Sequence, residues 1–277
     1  MDDEDISGPG GKEEKAARGI QSVETSSQLL SALARHPQPM ALGELARAVG
    51  ITAGKAHPYM VSFAKVGFVT QQPGTGRYEL GPLALQLGLA RLQRLDPVKE
   101  ASPLIADLAA EIRQGVALAV WGTFGPTIVR MEEPGQPLHV NMRIGTVMSL
   151  VHTATGRLFA AYMAPAQIAD ALALDDSPSV HPARKSGRRA TPALQAAALE
   201  EIRRHGLSRT RSQPIPGIDA LCAPVFDSAG HLVLGVLALG PTATFDTAWD
   251  GPIATALKRC AAQVSHQLGY QPAAHTP

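Results

Sequence analysis

The stretch from Leu42 to Val66 reads LGELARAVGITAGKAHPYMVSFAKV, and it decides the fold of the amino-terminal part of the chain. Leu42, Leu45, Ala46 and Val49 recur at helical intervals, and Gly50 then supplies the left-handed position that commonly closes a helix. Thr52 can cap the segment that follows, in which Ala56, Met60, Phe63 and Val66 give a second apolar stripe ending at Gly67. Two short helices are thus joined by a tight turn.

Upstream, helical spacing begins at Gln21. Val23, Ser27, Leu30, Leu33 and Ala34 are expected on one face, and His36-Pro37-Gln38-Pro39 ends the run. Downstream, Phe68-Val69-Thr70 and Arg77-Tyr78-Glu79-Leu80 are short β-prone runs, and Pro73-Gly74 between them predicts a hairpin. Three helices and a two-stranded wing over residues 20–81 follow the helix-turn-helix plan, in which the second helix of the pair enters the major groove of DNA. The outward set of that helix is expected to be Gly54, Lys55, His57, Tyr59 and Ser62, with Lys65 at the rear and Arg77 on the wing. Residues 20–81 carry five bases (Arg35, Arg47, Lys55, Lys65, Arg77) against three acids (Glu24, Glu44, Glu79). So small a surplus makes affinity for DNA depend on dimeric binding and on local placement of charge. The same pattern also suits a plain packing unit or a module that binds protein.

The chain has 277 residues, 25 basic and 24 acidic side chains, 45% hydrophobic residues and 4% aromatics. Length suggests two domains, and the composition excludes collagen-like and wholly disordered chains. Cys222 and Cys260 cannot make a disulfide scaffold and fit a reducing compartment. The longest apolar stretch, Leu232 to Gly240, is far below the ~18–20 residues that cross a bilayer. The acidic opening Asp2, Asp3, Glu4, Asp5 is the reverse of a signal peptide's basic start, so a cytoplasmic location is expected, with no membrane partner.

Residues 1–19, with six acids, three bases and Gly8-Pro9-Gly10-Gly11, read as a mobile tail. Residues 82–97 carry Leu83, Leu87, Leu89, Leu92 and Leu95 with Arg91 and Arg94 opposite, which predicts a linker helix able to pack against a second copy. From 98 to 271, apolar runs of strand length (Val116 to Trp121, Thr127 to Met131, Leu138 to Ile144, Ala220 to Phe226, Leu232 to Leu239) alternate with Ala-rich helical stretches. This mixture predicts an α+β sheet domain, interrupted by an exposed loop from Asp175 to Thr191.

Gly19-Ile20-Gln21-Ser22-Val23-Glu24 resembles the opening of the isocitrate-lyase-regulator (IclR-type) family of bacterial transcription factors. The likeness continues through Leu42-Gly43-Glu44-Leu45-Ala46, Lys55-Ala56-His57, Gly76-Arg77-Tyr78-Glu79-Leu80-Gly81, Thr153-Ala154-Thr155-Gly156-Arg157 and Ala223-Pro224-Val225. It spans residues 19 to 268. The resemblance implies an amino-terminal winged helix-turn-helix, a carboxy-terminal GAF-like effector-binding domain, homodimers or homotetramers on palindromic double-stranded operators, and no catalysis. One departure stands out: relatives usually have Arg or another good helix former after the His, where this chain has Pro58. A proline inside a helix costs about 3 kcal/mol. Either the helix begins near His57, leaving Gly54 and Lys55 in the turn, or it kinks. Weaker or altered operator binding is expected, and Pro58→Arg should tighten specific binding in a gel-shift assay.

In this family the effector pocket lies on one face of the central sheet, and relatives that take small oxo-acids place there an acidic residue, a cysteine and two serines. Matched by the spacing from Gly206 to Gly217, these positions become Thr210, Ala220, Leu237 and Leu239, with Cys222 on the face of Ala220. An apolar set lacks the fixed donors that offset desolvation of a carboxylate, so a larger or aromatic acid with a separate polar anchor is favoured over glyoxylate-sized ligands. Thr153, Ala154 and Thr155, at the start of the helix that contains Gly156 and Arg157, could supply that anchor through free backbone N–H groups. Equally, Leu237 and Leu239 read as ordinary fillers of a central strand.

Other candidates are rejected. Ser149 and His152 have no nucleophile elbow around them, neither cysteine has a Cys-x-x-Cys partner, and the histidines do not fall at ligand spacing, so neither enzyme nor metal site nor cofactor is expected. Gly8 to Lys12 lacks the spacing of a phosphate loop, and Arg184 to Arg189 reads as a solvated charge run. The function expected is that of a ligand-responsive DNA-binding transcriptional regulator. The alternative is a small-molecule sensor whose winged domain mediates protein contacts.

Overall fold

A computed structural model describes residues 19–133, 142–175 and 192–272. The chain divides into two compact units, Met1–Arg94 and Leu95–Pro277.

In the first unit α1 (Gln21–Arg35), α2 (Leu42–Val49) and α3 (Ala53–Val66) pack together, followed by the antiparallel pair β1 (Val69–Gln71) and β2 (Tyr78–Leu80), and then by α4 (Pro82–Leu92). The backbone of α2 stops where Gly50 takes a φ of 73° and its N–H turns back to Ala46 and Arg47. Thr52 starts α3 by accepting a hydrogen bond from the Lys55 N–H at 3.3 Å. The core between them is Leu29, Leu33, Leu45, Ala46, Ala56, Met60, Phe63, Val69 and Tyr78.

Two apolar stripes are corrected. Leu29 and Leu33, four residues apart, are the buried positions of α1, whereas Val23 is 61% exposed. At 100° per residue Val23 lies about a third of a turn away from Leu29. The same offset separates Val66 from Met60, and Val66 is 57% exposed. For Pro58, a helix start near His57 is excluded: α3 begins at Ala53 and holds Pro58 within it.

The second unit begins with α5 (Pro97–Ile112) and continues through β3 (Gly115–Gly122), β4 (Gly125–Glu132), α6 (Ala154–Tyr162), α7 (Pro165–Asp175), α8 (Pro192–His205), β5 (Ser208–Thr210), β6 (Ile218–Phe226), β7 (Leu232–Pro241) and α9 (Pro252–Gln267). Its strands form an antiparallel sheet in the order β4-β3-β7-β6-β5. One face packs on α5 and α9 through Ile105, Leu118, Leu221, Leu234, Val236, Leu257 and Val264. The other face, with Ala117, Ala119, Cys222, Leu237 and Leu239, meets Leu158 and Phe159 of α6. Gly235 lets α6 come close, since a Cβ there would sit 3.0 Å from the Cys222 sulfur and 3.3 Å from Leu158.

The expected linker helix ends at Leu92, short of Leu95, and Asp96 opens α5 by accepting hydrogen bonds from Val98 and Lys99. The strand expected from Leu138 to Ile144 fails over its described part: Met142 and Arg143 are irregular, and Ile144 sits in a turn, 69% exposed. The segment after it lies along the rim of β4 instead, with the Ile128 N–H donating to Thr146, Gly145 donating to Ile128, and Met148 donating to Pro126. Residues 1–18 of the expected tail and residues 176–191 of the expected loop lie outside the described residues. No helix among the described residues is long and apolar enough to cross a membrane.

Candidate nucleic-acid interface and effector face

Helix α3 buries Ala56, Met60 and Phe63 and turns its opposite side outward. Gly54, Lys55, His57 and Ser62 are exposed, as expected, and so is Lys65. Two expected members behave differently. Tyr59 is half-buried and packs against the core of the three helices, because it stands one residue before Met60 and three after Ala56. Arg77 fastens the wing: its Nη1 donates to the Pro39 carbonyl at 3.0 Å and to Glu44 Oε2 at 2.9 Å.

Glu44 also accepts the Ala41 N–H at 2.9 Å, half of a capping box, since Ala41 has no side-chain acceptor to return the bond. The Ala41 N–H first, then the Arg77 guanidinium, hold the Glu44 carboxyl below its ordinary range. Ser62 spends its hydroxyl proton on the Pro58 carbonyl at 2.9 Å. Two outward residues were missed. Pro58 and Val61 are both exposed, Val61 by 51%, and they share the outer ridge with Gly54 and Lys65. Counting 100° per residue from Met60 would have found them.

The expected effector residues come together on one side of the sheet. Thr210, Ala220 and Leu239 lie in one cross-strand row, and Ser208, Cys222, Leu237 and Ala117 in the next. Thr210, Cys222, Leu237 and Leu239 are buried and Ala220 partly so. Helix α6 covers this face and begins there: Thr153 Oγ1 accepts the Gly156 N–H at 2.9 Å and donates to the Ser149 carbonyl at 2.7 Å. Gly156 is required at that point, because a Cβ would overlap the Ser149 carbonyl. Ala154 and Thr155 are the first residues of α6, where backbone N–H groups have no acceptor within the helix.

Among the described residues, two hydroxyls on this face are buried without a hydrogen-bond partner, Thr155 Oγ1 and Ser208 Oγ. Ser208 stands opposite Cys222 in the strand register. Burial pushes the Cys222 thiol up to about 12, and the Thr155 hydroxyl, beside the sulfur but outside hydrogen-bond geometry, opposes that rise. Burial also lowers the Arg157 guanidinium, whose Nε donates to the Val151 carbonyl at 2.8 Å. Sequence reading placed Thr155 here and missed Ser208, which belongs to a strand of three residues.

A winged helix-turn-helix followed by a sheet domain with a partly polar buried face defines a regulator that couples a DNA-binding module to a sensory one. The chain belongs to the IclR family of bacterial transcriptional regulators: the IclR helix-turn-helix domain matches residues 22–73, and the bacterial transcriptional regulator IclR C-terminal domain matches residues 89–266. It is 31% identical over 264 residues to the glycerol operon regulatory protein of Streptomyces griseus, covering 91% of this chain and 98% of that one. With the regulator KdgR of Escherichia coli it shares 22% identity over 259 residues, covering 93% and 96%. Among solved structures it is similar to Pseudomonas aeruginosa HmgR, with a TM-score of 0.81 and 33% identity over 91% of this chain and 99% of that one. The Agrobacterium tumefaciens repressor BlcR shares the fold at a TM-score of 0.73 and 19% identity, over 91% and 99%. Relatives and family alike are DNA-binding transcriptional regulators.

Proposed function

We propose that this regulator binds double-stranded operator DNA as a homodimer or homotetramer and responds to a small organic acid, an aromatic one included, held on the α6 face of the sheet. It works in the cytoplasm without cofactor, metal or catalysis. The observation that carries the effector half is the pair of buried, unpartnered hydroxyls, Thr155 and Ser208, set among Cys222, Leu237 and Leu239. A buried hydroxyl without a partner costs about 1–3 kcal/mol, which a ligand's polar group offsets. The apolar neighbours favour a ligand with a hydrophobic body, and the start of α6 favours its carboxylate.

For DNA, Gly54, Lys55, His57 and Ser62 are the outward contacts, with Lys65 on phosphate, while Tyr59 and Arg77 hold the module together. Exposed Leu85, Leu89 and Leu92 on α4, spaced by four and three, suit a second copy. The effector acts by population shift, favouring one arrangement of paired recognition helices.

Titrating salt against the protein on its own upstream DNA tests the first half: affinity should fall steeply as salt rises. Binding that ignores both DNA and salt would favour a protein partner. Thermal-shift screening of organic acids tests the second half, and stabilisation only by small polar oxo-acids would overturn the apolar pocket.

A further inference from the structure

Helix α3 reads AGKAHPYMVSFAKV and contains no Arg, Asn, Gln, Asp or Glu. Those are the side chains that grip guanine, adenine or cytosine edges through paired or strongly directed hydrogen bonds. Of its polar residues, Tyr59 is half-buried in the module core, and Ser62 donates its proton to its own helix and offers DNA only an acceptor, which leaves Lys55, His57 and Lys65 as donors. Lysine contacts phosphate as a point charge or reaches a guanine edge, so the polar set on this helix offers no paired grip on adenine or cytosine.

Meanwhile the centre of the outward side is apolar. Gly54, Pro58, Val61 and Lys65 follow one another at intervals of four, three and four, so they form a single ridge along α3. Val61 is 51% exposed, Pro58 is exposed, and a Cβ at Gly54 would meet nothing within 4 Å. An isopropyl group and a pyrrolidine ring one turn apart on the face of a helix that enters the major groove have one complementary chemistry there. The thymine C5-methyl is the apolar group that groove displays.

We infer that Val61 and Pro58 are specificity-determining residues that read thymine methyl groups in each operator half-site. This rests on the DNA-binding reading above and adds what the helix selects. Gly54, with no side chain, lets the amino-terminal turn of α3 lie close against the bases. Lys55 and Lys65, at either end of the ridge, hold it in register on the phosphates.

The test uses the full-length protein and a pool of random duplexes amplified with thymidine. The duplex that wins the selection is remade with deoxyuridine at each thymine in turn, which keeps pairing and the O4 acceptor and removes only the methyl group. At one or two thymines per half-site, affinity should fall about three- to tenfold, the size expected for one methyl transferred out of water. That loss should vanish in Val61→Ala at one thymine and in Pro58→Ala at another. Val61 is exposed, so its truncation should leave the fold intact, which an unchanged thermal unfolding midpoint checks. Uniform indifference to uridine, or equal losses in wild type and both variants, overturns the inference while leaving DNA binding standing. A selection that enriches no sequence at all removes the DNA-binding reading and the inference with it.

Discussion

Along β7, Leu234, Val236 and Ala238 face α5 and α9, while Leu237 and Leu239 face α6, and the two sides of the sheet are built to different ends. The α5/α9 side is closed over by two helices and is apolar: its buried strand members come from β3, β6 and β7 and carry no polar side chain. The α6 side uses smaller groups on the strands, Ala117, Ala119, Gly235 and Cys222, and carries two buried hydroxyls without an oxygen or nitrogen partner among the described residues. The two sides differ in chemistry, and the sheet separates them by side-chain parity. A one-residue slip in any strand would exchange the roles.

Truncation should break the closed side hardest. Leu221→Ala removes a fully buried side chain between β6 and its covering helices and should cost about 2–5 kcal/mol, read from the midpoint of chemical denaturation. Next comes Gly156→Ala, where the added methyl meets the Ser149 carbonyl and the Leu150 backbone. It should cost about 1–3 kcal/mol and displace the start of α6, so ligand-induced stabilisation is lost along with some of the protein's own.

Thr155→Val has the opposite sign. Removing an unsatisfied hydroxyl at nearly constant volume should stabilise the free protein by about 1 kcal/mol while weakening its response to acids, and Ser208→Ala should follow it more mildly. A Thr155→Val protein that loses stability would show that the hydroxyl is structural and that the two faces are less distinct than drawn.

The smallest effect concerns the thiols. Burial raises Cys222 to about 12 and Cys260 to about 11, above the ordinary value of 9.0. Folded-state values raised in this way keep their contribution in full below pH 9.0 and lose it as pH climbs through 11 and 12. Stability should therefore be insensitive to these groups near neutrality and decline in alkali. A thiol reagent at neutral pH should label neither cysteine until the protein unfolds.

Much of this was legible in the chain. The runs at Val116, Thr127, Ala220 and Leu232 became β3, β4, β6 and β7, because continuous apolar stretches can only be buried strands or helices and their lengths favour strands. The two-helix turn was equally plain, since Gly50 and Thr52 are local signals. What escaped was non-local or diluted. Arg77 and Glu44 are 33 residues apart, and nothing local says that a wing arginine will turn inward. In α1 a polar sequence offers several weak stripes, and Leu29 is singled out only by the helices that cover it. The end of α4 was readable and missed: Asp96-Pro97 is a helix start, and what precedes a start is an end. Of the candidate site, the family resemblance supplied Ala220, Leu237 and Leu239, and parity set Cys222 on the face of Ala220, whereas the hydroxyl of Ser208 needed coordinates.

The strip of chain from Gly145 to Met148 that seals β4 between Pro126 and Ile128 has a consequence beyond architecture. A border strand with free amides is a template on which other molecules polymerise into ribbons. By occupying its own margin there, the chain removes the template along that span.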